Sequence, residues 1–209
     1  MGRKNIAEKR FEREQEFESQ FFSCEKDTKT IVEKLFINTQ PYSDYLKRLL
    51  LINTKDCLDN KINPDYVKKI QNTQVKDLVE KGYIRLNPKL KLGEHEDVKN
   101  YIVISYDNFT PTGNDHYADC VLMIDIICHS DYWDLGEFRI RPLKIAGYIN
   151  SLLNNTRLSG IGKLQWIGMN EIVLSEELSG YCLMYSATHG VDDIERIPLE
   201  DMIEEELDD

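Results

Sequence analysis

No run of about 18 consecutive apolar residues occurs in the 209-residue chain, so no membrane-spanning helix is expected. The N-terminal stretch Met1–Arg10 has no apolar core of the secretory type, and no signal peptide is expected there. Met1-Gly2 is followed at position six by Ile6, where myristoylation would want Ser or Thr. Cysteine is sparse and unclustered: Cys24, Cys57, Cys120, Cys128 and Cys182 form an odd set with no CxxC pair. That argues against a disulfide framework or a zinc knuckle, and for reduced, mostly buried thiols. The four histidines, His95, His116, His129 and His189, are scattered, so no metal and no cofactor is expected. Basic residues are in deficit, 26 against 37 acidic ones, for a net charge of −11.

The acidity is a property of one end. Between Val191 and Asp209 ten acidic residues stand against Arg196 alone, so these residues carry −9 and the rest of the chain only −2. No general basic face for gripping nucleic acid follows from this balance. The cluster Lys61, Lys68, Lys69, Lys76 and Lys81 reads as the solvated face of a helical region.

Periodicity divides the chain into three parts. Residues 1–24 are charge-dense, punctuated by Phe11, Phe17, Phe21 and Phe22, and read as an arm or helix. Residues 25–190 read as an α+β domain, an antiparallel or mixed sheet with helices on one face, carrying a helical insertion at about 40–82. Residues 191–209 are an acidic tail.

Within the domain, Asp27 or Thr28 caps a helix to Asn38, Ser43 caps a second, and Asp65–Lys81 is a third, closed by Gly82. Tyr83–Leu86 is a short strand. Asn100–Asp107 and Tyr117–Cys128 pair as a long hairpin, the second strand almost wholly apolar from Cys120 to Cys128. A helix from Glu137 to Asn155 carries its stripe on Ile140, Leu143, Ile145, Ala146, Ile149, Leu152 and Leu153. Strands near 164–173 and 180–188 extend the sheet.

Catalytic chemistry is hard to find. Asp119, Asp125 and Asp131 are the carboxylates a metal-dependent nuclease would use, Asp125 being the notable one inside an apolar strand. Gly160-Ile161-Gly162 precedes a strand and ends in no GKS or GKT, so it reads as a turn rather than a phosphate loop. Ser159 and Ser186 have no nucleophile-elbow setting. Arg139 and Arg141 fall at a helix start, where the dipole disfavours positive charge, so an acidic partner is expected for them, the tail or a neighbouring subunit.

The order of elements brings a family to mind. Val121–Cys128, Trp133, Gly136-Glu137-Phe138-Arg139, Ile145–Leu153, Leu158-Ser159-Gly160-Ile161-Gly162-Lys163-Leu164 and Tyr181–Thr188, with an early helix at 28–38 and the strand 100–107, resemble the tail terminator and tail-completion proteins of tailed bacteriophages. The likeness covers roughly 25–38 and 98–189; the helical insertion and the acidic tail depart from it. It implies a virion protein assembled in the host cytoplasm. Such a subunit forms a homo-oligomeric ring between portal and tail, contacts connector and tail proteins, and lets DNA pass without specific binding. No catalytic residue and no membrane contact are then expected. The interface residues would be Phe17, Phe21 and Phe22 of the arm, Phe109 of the hairpin tip, Trp133, Arg139 and Arg141, and the tail acids Glu204, Glu205 and Glu206. Two other classes compete: a cytosolic adaptor with an acidic partner-binding tail, and the nuclease.

Overall fold

The computed structural model describes residues 15–18, 20–37, 41–59, 63–86, 99–114, 117–157, 162–190 and 194–197. Strand β1 (Gln15–Glu18) leads into helix α1 (Gln20–Phe36), then α2 (Tyr42–Leu51), α3 (Pro64–Asn72) and α4 (Val75–Glu80). Strands β2 (Ile84–Arg85), β3 (Asn100–Pro111) and β4 (Tyr117–His129) follow, then helix α5 (Arg141–Leu153), β5 (Gln165–Val173), β6 (Leu178–Gly190) and β7 (Ile194–Ile197).

The main sheet runs β2-β3-β4-β6-β5. Only β2 against β3 is parallel, so the sheet is mixed and the fold is α+β, as the sequence pattern indicates. Alternation along the strands decides the two faces. Ile102 and Ile104 of β3, Cys120, Leu122, Ile124 and Ile126 of β4, and Leu183, Tyr185 and Ala187 of β6 point to one side. There they meet Ile31 and Leu35 of α1, Leu46, Leu49 and Leu50 of α2, and Ile145, Ile149 and Leu153 of α5 in one core. The other face carries a smaller cluster, Tyr101, Val103 and Ile127, flanked by Tyr83, Ile172 and Leu178. Arg85 lies over the Tyr101 ring, 3.9 Å from its centroid.

Several boundaries differ from the periodic reading, each for a local reason. Helix α1 begins at Gln20, so Asp27 is an interior residue rather than a cap, and the helix runs unbroken through the expected limit of the arm at residue 24. Pro41, not Ser43, precedes the first turn of α2, and Ser43 is fully buried. The helix expected over 65–81 is two, because Thr73 turns extended and Gln74 with Asp77 forms a capping box that starts α4. Gly82 does end α4: at φ 78° it sits where Tyr83 N–H reaches the Leu78 carbonyl at 2.8 Å and its own N–H reaches Val79 at 3.0 Å, a Schellman motif.

The helix expected from Glu137 starts only at Arg141. Glu137 and Phe138 both adopt left-handed backbone, φ 51° and 61°, and close a tight loop in which Asp134 bridges Ile140. Ile140 and Leu143, expected on the core stripe, are consequently among the exposed apolar residues.

Residues 15–18 and 194–197 meet. β1 and β7 form a separate antiparallel ribbon, Gln15 opposite Ile197 and Glu18 opposite Ile194. Residues 194–197 of the acidic tail therefore pair with residues 15–18 of the N-terminal arm of the same chain. Glu204, Glu205 and Glu206 lie outside the described residues, as do the Leu158–Ile161 turn and the hairpin-tip residues Asp115 and His116.

Candidate assembly interface

Among the described residues the sheet leaves two stretches of backbone without a partner strand, the outer side of β5 and the part of β3 beyond β2. β5 hydrogen-bonds only to β6. Its outer side exposes Trp166, Ile167, Met169 and Val173, and Leu174 continues the row; Val173 is 69% exposed. A nine-residue edge with that much apolar surface and no proline is a template for pairing with another strand. A bulge between Trp166 and Gly168 turns Ile167 outward.

On the opposite side β2 covers β3 only at Ile102 and Val103. From Ile104 outward β3 borders a groove of about 1120 Å³ between itself, α1 and α4. Ile104, Tyr106 and Phe109 form one wall and Val32, Ile37 and Val79 the other, with Lys29 and Glu33 at the rim. Phe109, expected at an interface, lies in this groove beside Tyr106, ring centroids 6.4 Å apart.

The remaining expected interface residues fall in different settings. Phe17 is in β1, and Phe21 and Phe22 are in the first turn of α1; the contacts of their side chains lie outside what is described. Trp133 is half-buried, its indole N–H donating to the Cys128 carbonyl at 3.2 Å and its ring 6.1 Å from that of Tyr181. Arg139 is partly exposed and serves its own loop, donating to the Leu135 and Gly136 carbonyls, with Asp59 3.6 Å away.

Arg141 overturns the expectation of an acidic partner. It has no exposure at all. Its Nη1 donates to the Leu49 and Ile52 carbonyls at 2.7 and 2.9 Å, Nη2 to Thr54 at 2.9 Å, and Nε to Tyr132 at 2.6 Å. The positive charge that is misplaced at the start of α5 is well placed at the C-terminal end of α2, whose last carbonyls would otherwise be orphans. The guanidinium fork pins α2 to the loop before α5 and offers no surface to another molecule.

Phe138 was not foreseen as a contact residue and is the most exposed apolar side chain among the described residues, at 104%. Its backbone is left-handed, and Ile140 and Leu143, two and five residues on, are exposed as well. The signal in the sequence was the glycine-led turn Gly136-Glu137-Phe138, which the helical reading absorbed.

The three nuclease carboxylates do not converge. Asp119 and Asp125 lie six residues apart on one face of β4, ~20 Å along the strand. Asp119 accepts from the Thr188 hydroxyl at 2.6 Å, while Asp131 sits beyond the strand end near His129. Among the described residues no group of three or more potential metal ligands gathers. Asp125 is half-buried on the less covered face, opposite Val103 and Cys182. Burial raises its pKa, against a hydrogen bond from the Cys182 thiol. An acid held above its unfolded value opposes folding once ionised, so Asp125→Asn leaves the fold equally or more stable at pH 7. The gain shrinks as pH falls through the carboxyl's folded pKa. Urea midpoints at pH 7 and pH 4 check this; a large loss at pH 7 would assign Asp125 a structural partner instead.

Among the described residues no helix is long and apolar enough to cross a membrane. No curated protein matches the chain. The YomW family model matches residues 43–187, from α2 through the two-edged sheet to β6. The chain belongs to the YomW family, named after a gene product of a Bacillus phage SPBc2 region, and is a phage-associated protein.

Proposed function

We propose that this protein is a structural subunit of a phage virion neck or tail, forming a ring of identical copies between portal and tail around the DNA channel. The observation that carries the reading is the pair of unpaired sheet edges. A ring needs a heterologous contact, one patch meeting a different patch on the next copy. β5 and the part of β3 beyond the two-residue β2 are two different edges of one sheet. Three antiparallel pairings separate them, so in a sheet repeated head to tail β5 of one copy runs antiparallel to β3 of the next. Backbone hydrogen bonds then extend the sheet across the joint, and the exposed β5 side chains enter the apolar groove beside β3.

The −9 charge of the last 19 residues fits passage of DNA without binding, since phosphates are repelled rather than held. Portal, connector and tail proteins are the partners such a ring would meet.

Light scattering across concentration and salt tests the reading. The wild type forms a discrete ring-sized oligomer, or chains that grow with concentration. Ile167→Lys with Val173→Lys on β5 returns it to monomer with its melting temperature within about 2 °C, because lysines on an edge block strand addition without touching the core. Wild type that stays monomeric at every concentration overturns assembly through these edges.

A further inference from the structure

Beneath the first turns of α1 lies a group of reactive side chains that ring assembly does not use. Cys24 and Asp27 come from α1, Cys120 from β4 and His189 from β6. All four are buried, at 7%, 2%, 3% and 1% exposure. Strand register explains the meeting: Cys120 is opposite Ala187 and Ala118 opposite His189, so Cys120 and His189 share the helix-facing side at one end of the sheet. One helical turn separates Cys24 from Asp27, which places both over that end.

The group contains an acid–imidazole pair. His189 Nδ1 stands 3.1 Å from Asp27 Oδ2. Cys24 lies close enough to the His189 side chain and to the Cys120 thiol for both to bear on its charge. Tyr106 from β3 sets its ring edge-on to His189, centroids 5.6 Å apart, and its hydroxyl donates to the Cys24 carbonyl at 3.2 Å. Asp119 is the remaining charged group near Cys120.

The electrostatics follow from those contacts. The neighbouring Cys120 thiol and then His189 hold the Cys24 thiol below its ordinary value although burial opposes them. Cys24 and burial push Cys120 up. Burial disfavours a charged His189, but Asp27 and Cys24 outweigh it and raise the imidazole to about 9. These contacts favour the charged forms of Cys24 and His189 and the neutral form of Cys120.

We propose that Cys24 and Cys120 form an oxidisable dithiol, with Cys24 the peroxide-reactive sulfur, Cys120 the resolving thiol, and His189, held by Asp27, the proton carrier. The Cys24 thiolate attacks one oxygen of hydrogen peroxide or an organic hydroperoxide; an S–O bond forms and the O–O bond breaks. The departing oxygen takes the His189 proton and leaves as water or alcohol, giving Cys24 sulfenic acid. His189 then accepts the Cys120 proton and passes it to the sulfenic hydroxyl. Cys120 sulfur attacks Cys24, and water leaves with formation of the disulfide. Two thiols are oxidised by two electrons as one peroxide is reduced. The bond fastens α1 to β4. Cys24, Asp27 and His189 lie outside the residues matched to the family, 43–187, and Cys120 lies within them.

The test uses the full-length protein. One equivalent of hydrogen peroxide at pH 7, followed by peptide mass mapping without reductant, yields Cys24 linked to Cys120. Iodoacetamide labels Cys24 at least about ten-fold faster than Cys128 or Cys182 at that pH. In Cys120→Ser the reaction stops at a Cys24 sulfenic acid that dimedone traps. In His189→Gln the pH midpoint of Cys24 labelling moves up toward the ordinary thiol range. Linkage through Cys57, Cys128 or Cys182, or a wild-type Cys24 no more reactive than those buried thiols, overturns the proposal. An unmoved midpoint in His189→Gln removes His189 from it.

Discussion

Arg141→Met lowers the melting temperature by roughly 10 °C. Methionine matches the arginine stem in length but donates nothing, so the carbonyls of Leu49, Ile52, Thr54 and Tyr132 lose their partner together. The Leu49 and Ile52 carbonyls are buried and those of Thr54 and Tyr132 partly so; left unpaired, each costs on the order of 1 kcal/mol, so the sum is about 3–4 kcal/mol. For a chain of this size each kcal/mol moves the midpoint by about 2–4 °C. Arg141→Lys recovers only part of the loss, because a single ammonium cannot reach the spread of acceptors that the planar fork serves. Arg139→Met is the control: its side chain is partly exposed, and the cost stays near 1 kcal/mol. Urea and thermal unfolding of the three variants measure this. A fall of less than about 2 °C in Arg141→Met would mean that water replaces the guanidinium in the α2–α5 junction.

Gly180→Ala is the second severe substitution, by a different route. Gly180 lies on β6 opposite Ile127, and a Cβ built there falls 1.8 Å from the Ile126 carbonyl oxygen. No rotamer relieves a clash with backbone; β6 must move away from β4, and the ladder loosens at that end. Overpacking of this kind costs about 3 kcal/mol. Gly168→Ala on β5 is the internal comparison, since its new methyl meets only the flexible end of Met184, at 3.2 Å. That variant keeps its stability within about 1 kcal/mol. Equal midpoints for the two variants would show that β6 can shift without cost.

Strand content was the readable part of the sequence. Nine nearly continuous apolar residues from Cys120 to Cys128 have one stable destination, a central strand, and β4 sits between β3 and β6. The hairpin and the two later strands followed from alternation and turn residues. What failed had a common cause: local pattern does not reveal a distant partner. Arg141 looked misplaced because its acceptors on α2 are about 90 residues away in sequence. Asp27 looked like a cap because nothing near it hinted at His189, which the register of β4 and β6 carries to it. The left-handed pair Glu137-Phe138 was hidden because the apolar spacing around it continued at helical period. The free edge at β5 could not be foreseen either, since edge position depends on the order β4-β6-β5 and not on the strand's own residues.

The terminal ribbon has a mechanical consequence. The chain enters it at Gln15 and leaves it at Ile197, and these two residues face each other at one end. A force that draws the two chain ends apart thus opens the ribbon as a zipper, one pair at a time, instead of shearing all four pairs at once. Force between Gln15 and Ile197 therefore meets the four pairs in succession, each alone, before it reaches α1 or the main sheet.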